Sequence, residues 1–133
     1  MGSIDKDYAP SRLLLEDSVS LLSGEDFWRT TPNKALGLGS LKFSDGPNGV
    51  RGEDWINGAP SAAIPCGTAL GASFDVELVS RPSNLLAREC KRKGVHGLLA
   101  PTMNIHHYPL CGRNFESFSE DPLLSGLIAA SFV

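Results

Sequence analysis

The chain has 133 residues, a length for one domain, and 41% of them are hydrophobic, enough to bury a core. The net charge of −3 and the absence of long Lys/Arg blocks argue against nucleic acid as a partner. No apolar run approaches the length of a membrane span, so no membrane partner is expected. The first twelve residues, MGSIDKDYAPSR, contain no secretory apolar core, and Lys6 stands where a myristoylation site needs Ser or Thr. Cys66, Cys90 and Cys111 have no paired spacing, which favours free thiols. Together these features predict a cytoplasmic location.

The first predicted element is a helix over residues 11–23. Leu15, Val19 and Leu22 make one apolar stripe, Ser11 caps the start after Pro10, and Gly24 ends the helix. Phe27 and Trp28 follow and are expected to pack under the next loop. Leu41-Lys42-Phe43 reads as a short strand, which breaks into the turn-forming run Asp45-Gly46-Pro47-Asn48-Gly49. There Pro47 presets φ, and Asn48 or Gly49 takes the positive φ. This loop presents one carboxylate, Asp45, and one guanidinium, Arg51, a pair suited to a polar ligand at the carboxyl end of a strand. The alternative for Asp45 is a bond to the backbone two residues on.

Residues 53–74 carry Gly, Pro, Ala and Ser throughout and read as a long irregular connection, with Trp55 available to stack on a sugar ring. A second helix is predicted from Asp75 to Lys93, closed by Gly94, with Val79, Leu86 and Cys90 on one face. Pro82 predicts a kink or break near Ser80, because it removes a backbone bond and clashes with the preceding turn. The Lys91-Arg92-Lys93 cluster complements the dipole of that helix end. A second strand over Gly97–Ala100 stops at Pro101, and a loop from Thr102 to Asn114 follows. The adjacent His106 and His107 lack the partner spacing of a zinc site, and Cys111 has no His-Asn arrangement for thiol catalysis. A third helix starts at Pro122, capped by Asp121. Arg113 is the best ligand contact here, since its forked donors suit paired hydroxyls or a carboxylate; a loop salt bridge to Glu116 or Glu120 fits its chemistry equally well. The order of elements is that of repeated β/α units with the loops on one side, an α/β fold.

Ser44-Asp45-Gly46-Pro47-Asn48-Gly49-Val50-Arg51-Gly52 and Gly112-Arg113-Asn114-Phe115-Glu116-Ser117-Phe118-Ser119-Glu120-Asp121-Pro122 resemble motifs of glycoside hydrolase family three, of the fungal β-glucosidase type. So do Leu22-Ser23-Gly24-Glu25-Asp26-Phe27-Trp28, Ile64-Pro65-Cys66-Gly67-Thr68-Ala69-Leu70-Gly71-Ala72 and Pro101-Thr102-Met103-Asn104-Ile105. The resemblance runs in order from about residue 12 to residue 133. It implies a partial (β/α)8 TIM-like barrel: an N-terminal helix and roughly the first two β/α units, with residues 1–133 a truncated N-terminal part of the barrel domain. The later barrel strands and the α/β sandwich domain are then missing. The resemblance also implies hydrolysis of terminal β-D-glucosyl residues with retention, without cofactor or metal, by a family that includes secreted members.

On the same resemblance, Asp45 matches the aspartate that bonds sugar hydroxyls in subsite −1, and Arg51 and Arg113 match arginines of that pocket. The expected ligand is glucose or a β-glucoside. Retention needs two carboxyl groups about 5–5.5 Å apart. The resemblance places the nucleophile in a later Ser-Asp-Trp motif and the acid/base in the next domain, so no catalytic residue is assigned here and the remainder of the enzyme is an expected partner. Alternatives are a non-enzymatic sugar-binding or interaction remnant and a product without function. Cys111 stands for the usual glycine before Gly112, with strain expected if that position needs positive φ. His106-His107-Tyr108 stands for Gln-Arg-Ser, and Pro82 for an ordinary helical residue. Leu123–Val133 is apolar and helix-prone and carries no stop signal, which also suggests truncation.

Overall fold

The computed structural model describes residues 13–133 except 35, 53 and 55, so the predicted Ser11 cap and Trp55 lie outside the described residues. The chain divides into two compact units, residues 1–41 and 42–133. In the first, helix α1 covers only Leu15–Leu21 and buries none of its residues. The predicted stripe is exposed: Leu15 by 79%, Val19 by 55% and Leu22 by 90%. Gly24 is not the helix cap. It bridges to Thr30 across a tight loop, which the Glu25 amide closes on the Arg29 carbonyl at 2.9 Å. At the tip Phe27 is 81% exposed rather than tucked beneath the loop, and its ring stands edge-on to Trp28.

In the second unit, strand β1 (Phe43–Asp45) pairs in parallel with β2 (Gly97–Leu99), Ser44 opposite Leu98. The first strand thus lies two residues beyond the predicted one. The Lys42 amide is bonded to Nδ1 of His96 at 2.9 Å, so the regular ladder begins only at Phe43. Strand β2 ends at Leu99, because the Ala100 amide turns back to the Leu98 carbonyl. The connection read as irregular contains a short helix, α2 (Gly67–Gly71). Local propensity did not reveal it: its two terminal glycines are there for close packing. A Cβ on Gly67 would collide with the Glu116 carbonyl, and one on Gly71 with the Phe118 carbonyl.

Helix α3 (Val76–Lys93) has the predicted ends. The Asp75 carboxylate accepts from the Leu78 amide at 2.9 Å, and Gly94 closes the helix at φ 64°. Pro82 does not break it. Ser83 Oγ donates to the Val79 carbonyl and Asn84 Nδ2 to the Ser80 carbonyl, both at 2.7 Å, so side chains serve the two carbonyls that follow the Leu78 carbonyl, the one Pro82 has no amide to serve. Burial of Val79 and Leu86 on the same helix outweighs a local cost of about 3 kcal/mol.

Helix α4 (Pro122–Phe132) starts as predicted, with Asp121 accepting from the Leu123 amide at 2.9 Å. Its Ile128, Ala129 and Phe132 share one buried cluster with Val79 and Leu86 of α3, Leu70 of α2, and Val50, Val95 and Phe118 of the loops, and the helix packs on α3 and α2. None of the described helices is long and apolar enough to cross a membrane.

Candidate functional site

Two loops leave the carboxyl ends of the parallel strands, and the candidate residues sit on them. Ser44, fully buried in β1, accepts from the Gly52 amide at 3.1 Å, and the Arg51 amide donates to the Asp45 carbonyl at 3.2 Å. These bonds fold residues 45–52 back on their own strand. The turn is tight enough that a Cβ on Gly46 would overlap the Gly49 carbonyl. Of the two residues expected to take positive φ, Gly49 does so, at 159°, and Gly46 joins it at 154°.

Asp45 sits at the mouth of a cleft of about 250 Å³, lined also by Arg51, Ala62, Phe115 and Glu116. Its Oδ2 lies 3.5 Å from Nε of Arg51. The alternative, a bond to the backbone two residues on, has no donor, because residue 47 is proline.

Arg113 approaches from the second loop. It stands at φ 67° immediately before a 3-10 turn, Asn114–Glu116. Its Nε and Nη2 both donate to Oε2 of Glu116, at 2.9 and 2.7 Å. Arg113 is not among the residues lining the cleft and meets that lining through Glu116. The hydrogen bond to Glu116, then the Glu116 charge, and more weakly the Asp45 carboxylate, raise the Arg113 pKa further. Of the two readings of Arg113, the structure shows the salt bridge, to Glu116, which itself lines the cleft. The strain expected at Cys111 falls instead on Arg113, because Cys111 does not have positive φ. Left-handed backbone costs a residue with a Cβ about 1 kcal/mol.

Three supporting residues had no assigned role in the sequence reading. Thr68 Oγ1 on α2 lies 3.1, 3.3 and 3.0 Å from the carbonyls of Asn114, Phe115 and Ser117. His106 Nε2 lies 2.7 Å from the Asn114 carbonyl and 3.1 Å from that of Ser117, so this nitrogen carries the proton. Gly67 admits the Glu116 carbonyl against α2. The signal for these roles was the Gly-Thr-Ala-Leu-Gly run, whose small residues allow backbones to touch. Glu120 is exposed, as are His107 and Cys111. Among the described residues no group of three His, Cys, Asp or Glu side chains is placed to hold a metal.

Asp45 and the Arg51 guanidinium in the cleft lining, with Arg113 bonded to the lining residue Glu116, can receive and donate hydrogen bonds to a polyhydroxylated ligand. Solved structures with the same arrangement of chain are β-glucosidases. The glucose complex of the Kluyveromyces marxianus β-glucosidase matches with a TM-score of 0.83 and 43% identity, over 92% of this chain and 15% of that one. The glucose complex of β-glucosidase 3B from Thermotoga neapolitana matches with a TM-score of 0.79 and 37% identity, over 92% of this chain and 20% of that one. Among curated relatives, the probable β-glucosidase J of Neosartorya fischeri is 55% identical over 99% of this chain, and the probable β-glucosidase H of Emericella nidulans 48% identical over 98%. The chain spans 16% of the length of each of these two relatives. Residues 50–133 match the Glycosyl hydrolase family 3 N terminal domain, and the chain belongs to that family.

Proposed function

We propose that these residues form the N-terminal helix and first two β/α units of a (β/α)8 barrel, and that they supply one side of the −1 subsite of a retaining β-glucosidase. Asp45 accepts hydrogen bonds from sugar hydroxyls, and Arg51 and Arg113 donate to them. The observation that carries this reading is the convergence of Asp45 and Arg51 with the Arg113–Glu116 pair at the carboxyl ends of β1 and β2. That is the end of a β/α barrel where sites are built. Two relatives of the same arrangement are described as complexes with glucose, which supports glucose or a terminal β-glucosyl residue as the ligand.

The carboxylates near the cleft have other work. Glu116 is held by Arg113 and by Thr102 Oγ1 at 3.4 Å, and Asp45 by Arg51. Neither is assigned as nucleophile or acid/base. In this reading the 133 residues bind sugar without hydrolysing it, and the catalytic carboxyl pair is contributed by later parts of the family's barrel and by its next domain. Incubation with an aryl β-glucoside is expected to release no aglycone. Release that Asp45→Ala abolishes would overturn the division of labour proposed here.

A further inference from the structure

We infer that Lys93 and Glu89, at the end of α3, are positioning residues for the glucoside cleft. This inference rests on the reading of that cleft as part of a sugar subsite. Lys93 is only 7% exposed and Glu89 13%, unusual burial for such side chains. A buried ammonium needs acceptors, and Lys93 finds them on two loops at once. Its Nζ donates to the Val50 carbonyl at 2.5 Å, to the Ala59 carbonyl at 3.2 Å and to Ser61 Oγ, while Ser61 Oγ donates to the Val50 carbonyl. Val50 immediately precedes Arg51 and is fully buried. Glu89 holds the other wall, where its Oε2 accepts from the Ala62 amide at 3.1 Å. Its Oε1 accepts from Arg92, whose Nη2 also bonds the Pro60 carbonyl at 2.9 Å.

Ser61, Ala62 and Ala63 line the same cleft as Asp45 and Arg51. They meet the β1 loop directly: the Ile64 amide donates to the Asn48 carbonyl at 2.9 Å. Two ionised side chains one helical turn apart therefore fasten both the segment bearing Arg51 and the wall opposite it to the rigid helix. Neither touches the ligand. They set the distance between Arg51 and the 61–63 wall.

The test compares the chain with its Lys93→Met, Glu89→Ala and Glu89→Gln variants. The readouts are amide hydrogen exchange without ligand and a D-glucose titration followed by amide chemical shifts. In Lys93→Met and Glu89→Ala, exchange at Arg51 and Ala62 is expected to accelerate about tenfold, with α4 amides unchanged. Glucose affinity is expected to fall by a similar factor. Glu89→Gln keeps an oxygen for the Ala62 amide and is expected to behave like the parent chain. Three results would overturn the assignment: unchanged exchange at Arg51 and Ala62, an equal loss of protection throughout α4, or accelerated exchange with glucose affinity intact. If the parent chain binds no glucose, the subsite reading fails, and exchange alone decides whether the clamp exists.

Discussion

Residues 13–41 and 42–133 are held together in different ways. In the first unit, Asn33 is the only buried residue among those described. Its order comes from polar local bonds. Asp26 accepts from the Trp28 amide at 2.7 Å and pairs with Arg29, Thr30 exchanges bonds with Leu41, and Asn33 reaches Asp17 at 3.2 Å and the Leu36 amide at 3.0 Å. In the second unit nine apolar side chains among the described residues form one buried cluster running from Val50 to Phe132. The difference teaches that the candidate cleft belongs to the unit with a core. Its loops are anchored to buried elements, which is what a site requiring fixed geometry needs.

Core truncation should separate the two units most sharply. Leu86 is 1% exposed, and Leu86→Ala should cost about 2–5 kcal/mol by cavity formation, whereas Leu22→Ala, at a side chain 90% exposed, should stay within about 0.5 kcal/mol. Denaturant unfolding of both variants checks this. Similar losses would mean that the exposed face of α1 is packed in solution.

The sequence made much of the second unit legible, for physical reasons that can be named. Both ends of α3 follow from Asp75 and Gly94, and the start of α4 follows from Asp121-Pro122, because caps are local chemistry. Pro82 does not break α3, because its penalty is also local and tertiary burial of Val79 and Leu86 exceeds it. Helix α2 was missed for the converse reason: its glycines answer to the carbonyls of Glu116 and Phe118, far along the chain. Periodicity at Leu15, Val19 and Leu22 predicted a helix over residues 11–23; the helix is confined to Leu15–Leu21 and its apolar stripe is exposed. At the candidate site, motif resemblance singled out Asp45, Arg51 and Arg113, of which Asp45 and Arg51 line the cleft. The Lys93 and Glu89 contacts were not, since a Lys-Arg-Lys run at a helix end reads as a solvated complement to the dipole.

The strained Arg113 offers a smaller and more diagnostic effect. Arg113→Gly removes a Cβ from left-handed backbone and loses an ion pair whose guanidinium is 73% exposed and whose carboxylate, on Glu116, is 14% exposed. Stability is expected to rise by up to about 1 kcal/mol while glucose binding weakens. Thermal unfolding with a glucose titration checks both, and a loss of stability would mean that the Glu116 pair outweighs the strain.

The smallest effect belongs to the first unit and concerns pH. The Trp28 amide, and then Arg29, hold the Asp26 carboxyl below its ordinary 3.8. Folding lowers this pKa, so the stabilisation is complete above the unfolded value and disappears as pH falls through the folded one. Acidification below pH 3.8 should therefore loosen the 24–30 loop, followed by the Trp28 amide shift. Asp26→Asn should flatten that titration, and an unchanged curve would remove Asp26 as its cause.

The central claim is that the carboxyl ends of β1 and β2 carry part of a glucosyl subsite. The most direct measurement is a D-glucose titration of the chain and its Asp45→Ala variant, followed by backbone amide shifts. The account predicts saturable shifts at Asp45, Gly46, Arg51, Phe115 and Glu116 in the parent chain and none in the variant. Equal shifts in both, or none in either, would contradict it.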